Sequence, residues 1–333
     1  STDIYTPKWP ISRDMNIATA GSCFAQHIGR YLRAADFQIL DLEPAPYTLS
    51  ADKHMDYSYG IYSARYGNVY TVRQMLQLAH EAFGDIPQRD VVWEKNGRWY
   101  DGLRPTIEPH GYSSKTMVIA HRKRHLRQVR KMLLQMDMLV FTLGLTEAWI
   151  DKENGMVFPI CPGTITDDFD RKRHVFHNFT AAEIREDLIA LRALLISHRP
   201  DDHPLKFMLT VSPVPLTATA TDHHVQVATV YSKSVLRVVA GEVSETFEDV
   251  DYFPSYEIVS SPWSKQTFFG PNLRSVTSEG VANVMASFMN VHAPGTDVVT
   301  KKPALTKPIV ALKEDKDMLV KCDEELLDAF GGR

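Results

Sequence analysis

Residues 137–144 read "DMLVFTLG", a continuous apolar run that ends on glycine. A strand covered on both faces, as in a parallel sheet, reads this way. "LKFMLTVSPVP" at 205–215 is a second such run, broken by prolines, and a shorter one at 16–20 passes through "GSC" into a helical pattern over about 25–35. "FQILDLEP" reads as a further short strand. The stretch "YGNVYTVRQMLQLAHEAFG" begins extended and becomes helical, with Met75, Leu76, Leu78, Ala79 and Phe83 at helical spacing, which returns in "SKTMVIAHRKRHLRQVRKMLLQM", in "TAAEIREDLIALRALLISHRP" and in "TSEGVANVMASFMNVH". Thr180 with Glu183 three residues on forms a capping box. "VQVATVYSKSVLRVVAGEV" reads as a helix stopped at Gly241, and "VDYFPSYEIV" as strand then turn. "DVVWEKNGRWYDGL" reads as a hairpin turning at Asn96-Gly97. Strands alternating with helices define an α/β fold with a mostly parallel central sheet.

The pattern changes past His292. We expect one domain over 1–293, a linker at 294–312 and a short charged helix at 313–333, a C-terminal arm suited to oligomerisation. A net charge of −4 over 333 residues gives no reason to expect nucleic acid as a partner. No run approaches the roughly 18 apolar residues of a membrane span. The three cysteines are odd in number and far apart. We therefore expect no disulfide framework, and a reducing, cytoplasmic setting. There is no phosphate-binding glycine loop and no spaced metal-ligand set, so neither a cofactor nor a metal is expected.

In an open parallel sheet, functional residues gather at the carboxyl ends of the strands. Here that rule selects 21–23, 144–147, 212–215 and the residues after "VDYF". Ser22, at a strand-to-helix turn, is placed as a nucleophile whose oxyanion would meet backbone N–H groups at the helix start. The same position suits an ordinary helix cap. Cys23 beside it would be stabilised as a thiolate, although its small size and apolar neighbours suit packing equally.

The run "GSCFA" at 21–25 is the signature of the GSCFA family, bacterial proteins related to the SGNH (GDSL-like) hydrolases. The chain also resembles that family at "RYGNVYTVRQMLQL", "FTLGLTEAW", "FHNFT", "VSPVP", "YSKSVL" and "YFPSYEIV", an ordered set spanning about 8–292. The resemblance implies an SGNH-like three-layer sandwich with Ser22 as nucleophile. Gly144 and Thr146 would fall in the third block, where an asparagine normally donates to the oxyanion, and Gly67 with Asn68 would supply the second block and its missing amide. The last block departs from the pattern: Asn272 and Ser275 stand where Asp-x-x-His is usual.

A serine mechanism would then need its base from elsewhere. His224 comes first and His177 second, with Asp222 or Glu147 as the orienting carboxylate. His223 competes with its neighbour, and His27 lies one turn into the first helix. The expected function is esterase or acyl-transfer chemistry on an O-acyl group, above all O-acetyl, of a bacterial glycan or small ester. The alternatives are an acyltransferase using a thioester donor such as acetyl-coenzyme A, and a non-catalytic glycan-binding module. Two further stretches stand out. "HRKRHLRQVRK" at 121–131 reads as a solvated basic face or an anion site, and "WYDGLRPTIEPHGY" as a sugar-binding or a packing loop.

Overall fold

The computed structural model describes residues 4–293, apart from 168 and 265–267, together with Asp323. Four parallel strands form the central sheet in the order β1 (Ile17–Gly21), β4 (Met138–Leu143), β8 (Lys206–Val211) and β9 (Val250–Tyr252). Gly21 pairs with Thr142, and Leu143 with Val211, so the first three strands end level with one another. One face carries α1 (Ala25–Ala34) and α7 (Ser278–His292), packed through Ile28, Leu32, Val284 and Phe288. The other carries α2 (Val72–Phe83), α3 (Lys115–Gln135), α4 (Ala181–Ser197) and α5 (Val225–Thr246), packed through Met75, Val129, Leu191 and Leu236. The fold is thus α/β, a sheet between two helical layers.

Local chemistry explains most of the boundaries. Thr71 caps α2 by accepting from the Gln74 N–H, and Gly84 ends it in the left-handed conformation. The Thr180–Glu183 capping box is fully formed on α4. The hairpin of β2 (Val92–Lys95) and β3 (Arg98–Asp101) turns at Asn96 and Gly97, both at positive φ.

Several elements differ from the sequence reading. Gly241 does not stop α5, because the apolar face continues through Val243 and outweighs one glycine. "FQILDLEP" makes only an isolated bridge from Ile39 to Ile17. The turn after β9 becomes α6 (Ser255–Ser260). A small antiparallel sheet of β5 (Glu147–Asp151), β6 (Val157–Phe158) and β7 (His174–Asn178) was not foreseen. The linker and arm expected past 293 lie outside the described residues, Asp323 excepted.

Both charged stretches prove to be partly core. Arg122 and His125 of α3 are buried, bonded to Glu81 at 2.7 Å and to Glu43 at 2.6 Å. Asp101 and Arg104 form a buried pair at 2.9 Å, so the "WYDGLRP" loop is held by its own charges.

Burial pushes His27 down to about 3 and His125 to about 4. Each stays neutral in the fold while its unfolded counterpart takes a proton below about 6.5. Stability is therefore full above that pH and is lost as pH falls toward 4 and below. Urea unfolding at pH 5.5 should show a loss of about 1 kcal/mol per buried histidine relative to pH 7.5. A flat profile over that interval would contradict this.

Candidate active site

The site begins where β1 runs out. Gly21 has φ +134°, and a Cβ there would meet the Thr142 carbonyl oxygen at 2.3 Å. Glycine is therefore required for the two chains to lie this close. Ser22 follows with its N–H donating to Thr142 O at 3.1 Å. Its carbonyl accepts from the Ala25 N–H at 2.9 Å and from the Tyr62 hydroxyl at 3.1 Å. The Ser22 hydroxyl is buried, and its Oγ has no hydrogen-bond partner among the described residues.

Two expectations change here. The cap position of α1 is Phe24, with no side-chain cap, so the Ser22 hydroxyl is not used to start the helix. The N–H groups of Ala25, Gln26 and His27 donate to the carbonyls of residues 22, 23 and 24, and the Ser22 N–H is taken by Thr142. These four groups are not directed at an oxyanion.

The facing wall is built from the end of β4. Gly144 lies so near that a Cβ on it would come within 3.0 Å of Ser22 Cβ and 3.1 Å of the Tyr70 ring. The N–H groups of Gly144 and Leu145 both donate to Tyr70 O, at 3.1 and 3.0 Å. Helix α5 holds this loop from behind. Lys233 Nζ donates to Gly144 O at 2.7 Å, and Ser232 Oγ accepts from the Thr146 N–H at 3.1 Å. Thr146 is fully buried, its Oγ1 without a partner among the described residues, and the cavity wall takes Leu145 and Glu147 on either side of it.

Asn68 is linked to Ser22 through the Tyr62 hydroxyl, which reaches both Ser22 O and Asn68 Oδ1. Its Oδ1 shares the Tyr62 hydroxyl proton with Ser22 O and accepts from Gln26 Nε2, which leaves Nδ2 as an outward donor. Nδ2 donates to Asp323 Oδ2 at 2.8 Å, and the Asp323 N–H donates to the Tyr70 hydroxyl at 3.2 Å. Gly67, at φ +73°, turns the chain into Asn68.

Next to these residues is a mainly apolar cavity of about 220 Å³, with Tyr70, Leu145, Trp149, Phe158, Leu216 and Asp323 on its wall. Glu147 also lines it, with Oε1 accepting from Thr219 at 2.7 Å, and burial raises its carboxyl above the usual range. Cys161 lines it as a free thiol pushed up to about 11 by burial.

The histidines are elsewhere. His177 lies on β7, with Nε2 2.8 Å from Glu183 Oε1, and His224 caps α5 by accepting from the Gln226 N–H. Neither bonds Ser22 or lines the cavity. His223 is exposed, and His27 packs edge-on against Phe24 inside the fold. Asn272 and Ser275 bond one another, Nδ2 to Oγ at 2.9 Å.

Cys23 is disulfide-bonded, which corrects the expectation of three reduced thiols and removes any thiolate role while the bond persists. Sequence reasoning missed Ser232, Lys233 and Asp323. A lysine on the apolar stripe of α5 was the available signal for the first two. Asp323 gave none, since it sits in a charged tail far from Asn68 in sequence.

Parallel-sheet geometry and a serine held at the carboxyl end of β1 define an α/β protein of the kind that presents a hydroxyl at a strand-to-helix turn. The chain belongs to the GSCFA family, whose family model matches residues 16–288. No curated protein and no solved structure matches the chain. No helix among the described residues is long and apolar enough to cross a membrane.

Proposed function

We propose that the chain is a serine-dependent esterase or acyl-transfer enzyme acting on an O-acyl group, O-acetyl foremost, of a glycan or small ester. The observation that carries this reading is the Ser22 hydroxyl. It is buried at the carboxyl end of β1 without a partner among the described residues, and Tyr62 links Ser22 O to an oriented amide donor, Asn68. An unsatisfied buried hydroxyl costs stability, and its presence calls for a reason other than folding. The relation to SGNH hydrolases implied by the sequence motifs supports the same role.

In this reading Ser22 Oγ attacks the acyl carbon and Asn68 Nδ2 donates to the oxyanion. The alkoxide leaving group takes a proton, and water or an acceptor hydroxyl then releases the acyl group. We assign the proton-accepting role to Glu147, since its raised carboxyl lines the cavity and neither His177 nor His224 does. Lys233 and Ser232 keep the Gly144–Thr146 loop against the nucleophile. The disulfide at Cys23 favours an oxidising compartment over the cytoplasm.

A second reading, a glycan-binding module without catalysis, is favoured by Asn272 and Ser275 satisfying each other where an acid and a base are usual. Release of p-nitrophenol from p-nitrophenyl acetate separates the two. Turnover above buffer by the full chain is expected. Its absence, both in that chain and with Asp323 replaced by alanine, would overturn the enzymatic reading.

A further inference from the structure

Ser22 is only 3% exposed and is not on the wall of the 220 Å³ cavity, although a nucleophile must meet its substrate. Part of what covers this region comes from outside the family-matched stretch. That stretch ends at 288, and Asp323, on the wall of that cavity, lies well beyond it.

Asp323 is 4% exposed. It lines the 220 Å³ cavity and also a small recess formed by Gln26, Tyr62, Gly67 and Asn68. Its carboxylate accepts from Asn68 Nδ2, and its N–H reaches Tyr70, the residue packed against Gly144. Tyr62 and Gln26 fix the acceptor end of the Asn68 amide, so the donor has one direction in which to point. A carboxylate offers that donor the negative oxygen that a tetrahedral oxyanion would offer.

We propose that the Asn68 amide forms a carboxylate-binding position close to Ser22, and that Asp323, whose backbone is held by Tyr70, is its resident occupant, competing with acyl substrates and carboxylate products. The proposal rests on Ser22 chemistry only for its kinetic consequence. Binding of the carboxylate is a separate matter. A charge-assisted hydrogen bond of this kind would weaken a competing ligand by roughly tenfold to a hundredfold.

Acetate, which is the Asp323 side chain cut free, is the probe. In the full chain, Asp323→Ala should open the position, so that acetate raises the melting temperature relative to chloride at equal ionic strength. The unaltered chain should need at least about tenfold more acetate for the same shift. Adding Asn68→Ala to Asp323→Ala should abolish the response. Asp323→Asn, which keeps the shape and drops the charge, should respond between the two and serves if the alanine variant folds poorly. In parallel, Asp323→Ala should raise kcat/KM for p-nitrophenyl acetate about tenfold, with acetate as a competitive inhibitor. Equal responses to acetate with and without Asp323, or a response that survives loss of Asn68, would overturn the proposal. Acetate binding in variants that hydrolyse no ester would support it while removing the esterase reading.

Discussion

Ser22→Ala is expected to lower p-nitrophenyl acetate turnover by at least about a thousandfold, the scale seen when an attacking hydroxyl is removed. The same change should leave the melting temperature equal or slightly higher. The two halves of that expectation have one cause. Ser22 Oγ makes no hydrogen bond among the described residues, so alanine removes a buried group that contributes nothing to folding there. A hydroxyl that acted through structure would show the reverse, with stability and activity falling together. Circular dichroism melts beside the kinetic assay decide between them. Retained turnover would take Ser22 out of the mechanism.

Gly21→Ala is expected to be the most damaging single substitution for the fold. The new Cβ would lie 2.3 Å from Thr142 O, 2.7 Å from its nitrogen and 2.9 Å from its carbonyl carbon, all backbone atoms of a central strand. No side chain can move aside, and the φ of +134° is itself unfavourable for alanine. Relief requires β1 and β4 to separate, which breaks the sheet beside Ser22. We expect a loss of about 4 kcal/mol or more, seen as a fall of roughly 10 °C in melting temperature or as insoluble protein. Gly60→Ala provides the contrast. Its φ is +66°, but nothing lies within 4 Å of the added methyl, so only backbone strain of about 1 kcal/mol should appear. Similar losses for the two variants would mean that the close approach of β1 and β4 is not what Gly21 serves.

The sheet and its helices were legible because their signals are local and repeated. The apolar runs of β4 and β8, the Thr180 capping box and the Asn96-Gly97 turn each act over a few residues. Strands β5 and β7 were not, since their five-residue stretches are half-buried and carry Glu147, His174 and His177 among the apolar positions. The extension of α5 past Gly241 depended on packing rather than propensity. At the site, Ser22 was readable from its place after a strand, and Asn68 from its neighbour Gly67. The orientation of the Asn68 amide, set by Tyr62 and Gln26, was not, and neither was its contact with Asp323, which spans 255 positions along the chain. The disulfide at Cys23 was unreadable for the same reason: widely spaced cysteines carry no local pattern.

The central claim is that Ser22 is the nucleophile, and fluorophosphonate labelling followed by peptide mapping tests it most directly. The tryptic peptide 14–30 contains Ser22 as its single serine, which makes the assignment unambiguous after reduction of the Cys23 disulfide. The account predicts one adduct, in that peptide, forming faster in Asp323→Ala than in the unaltered chain and absent in Ser22→Ala. No adduct in peptide 14–30 of the Asp323→Ala variant, or labelling that persists without Ser22, would contradict it.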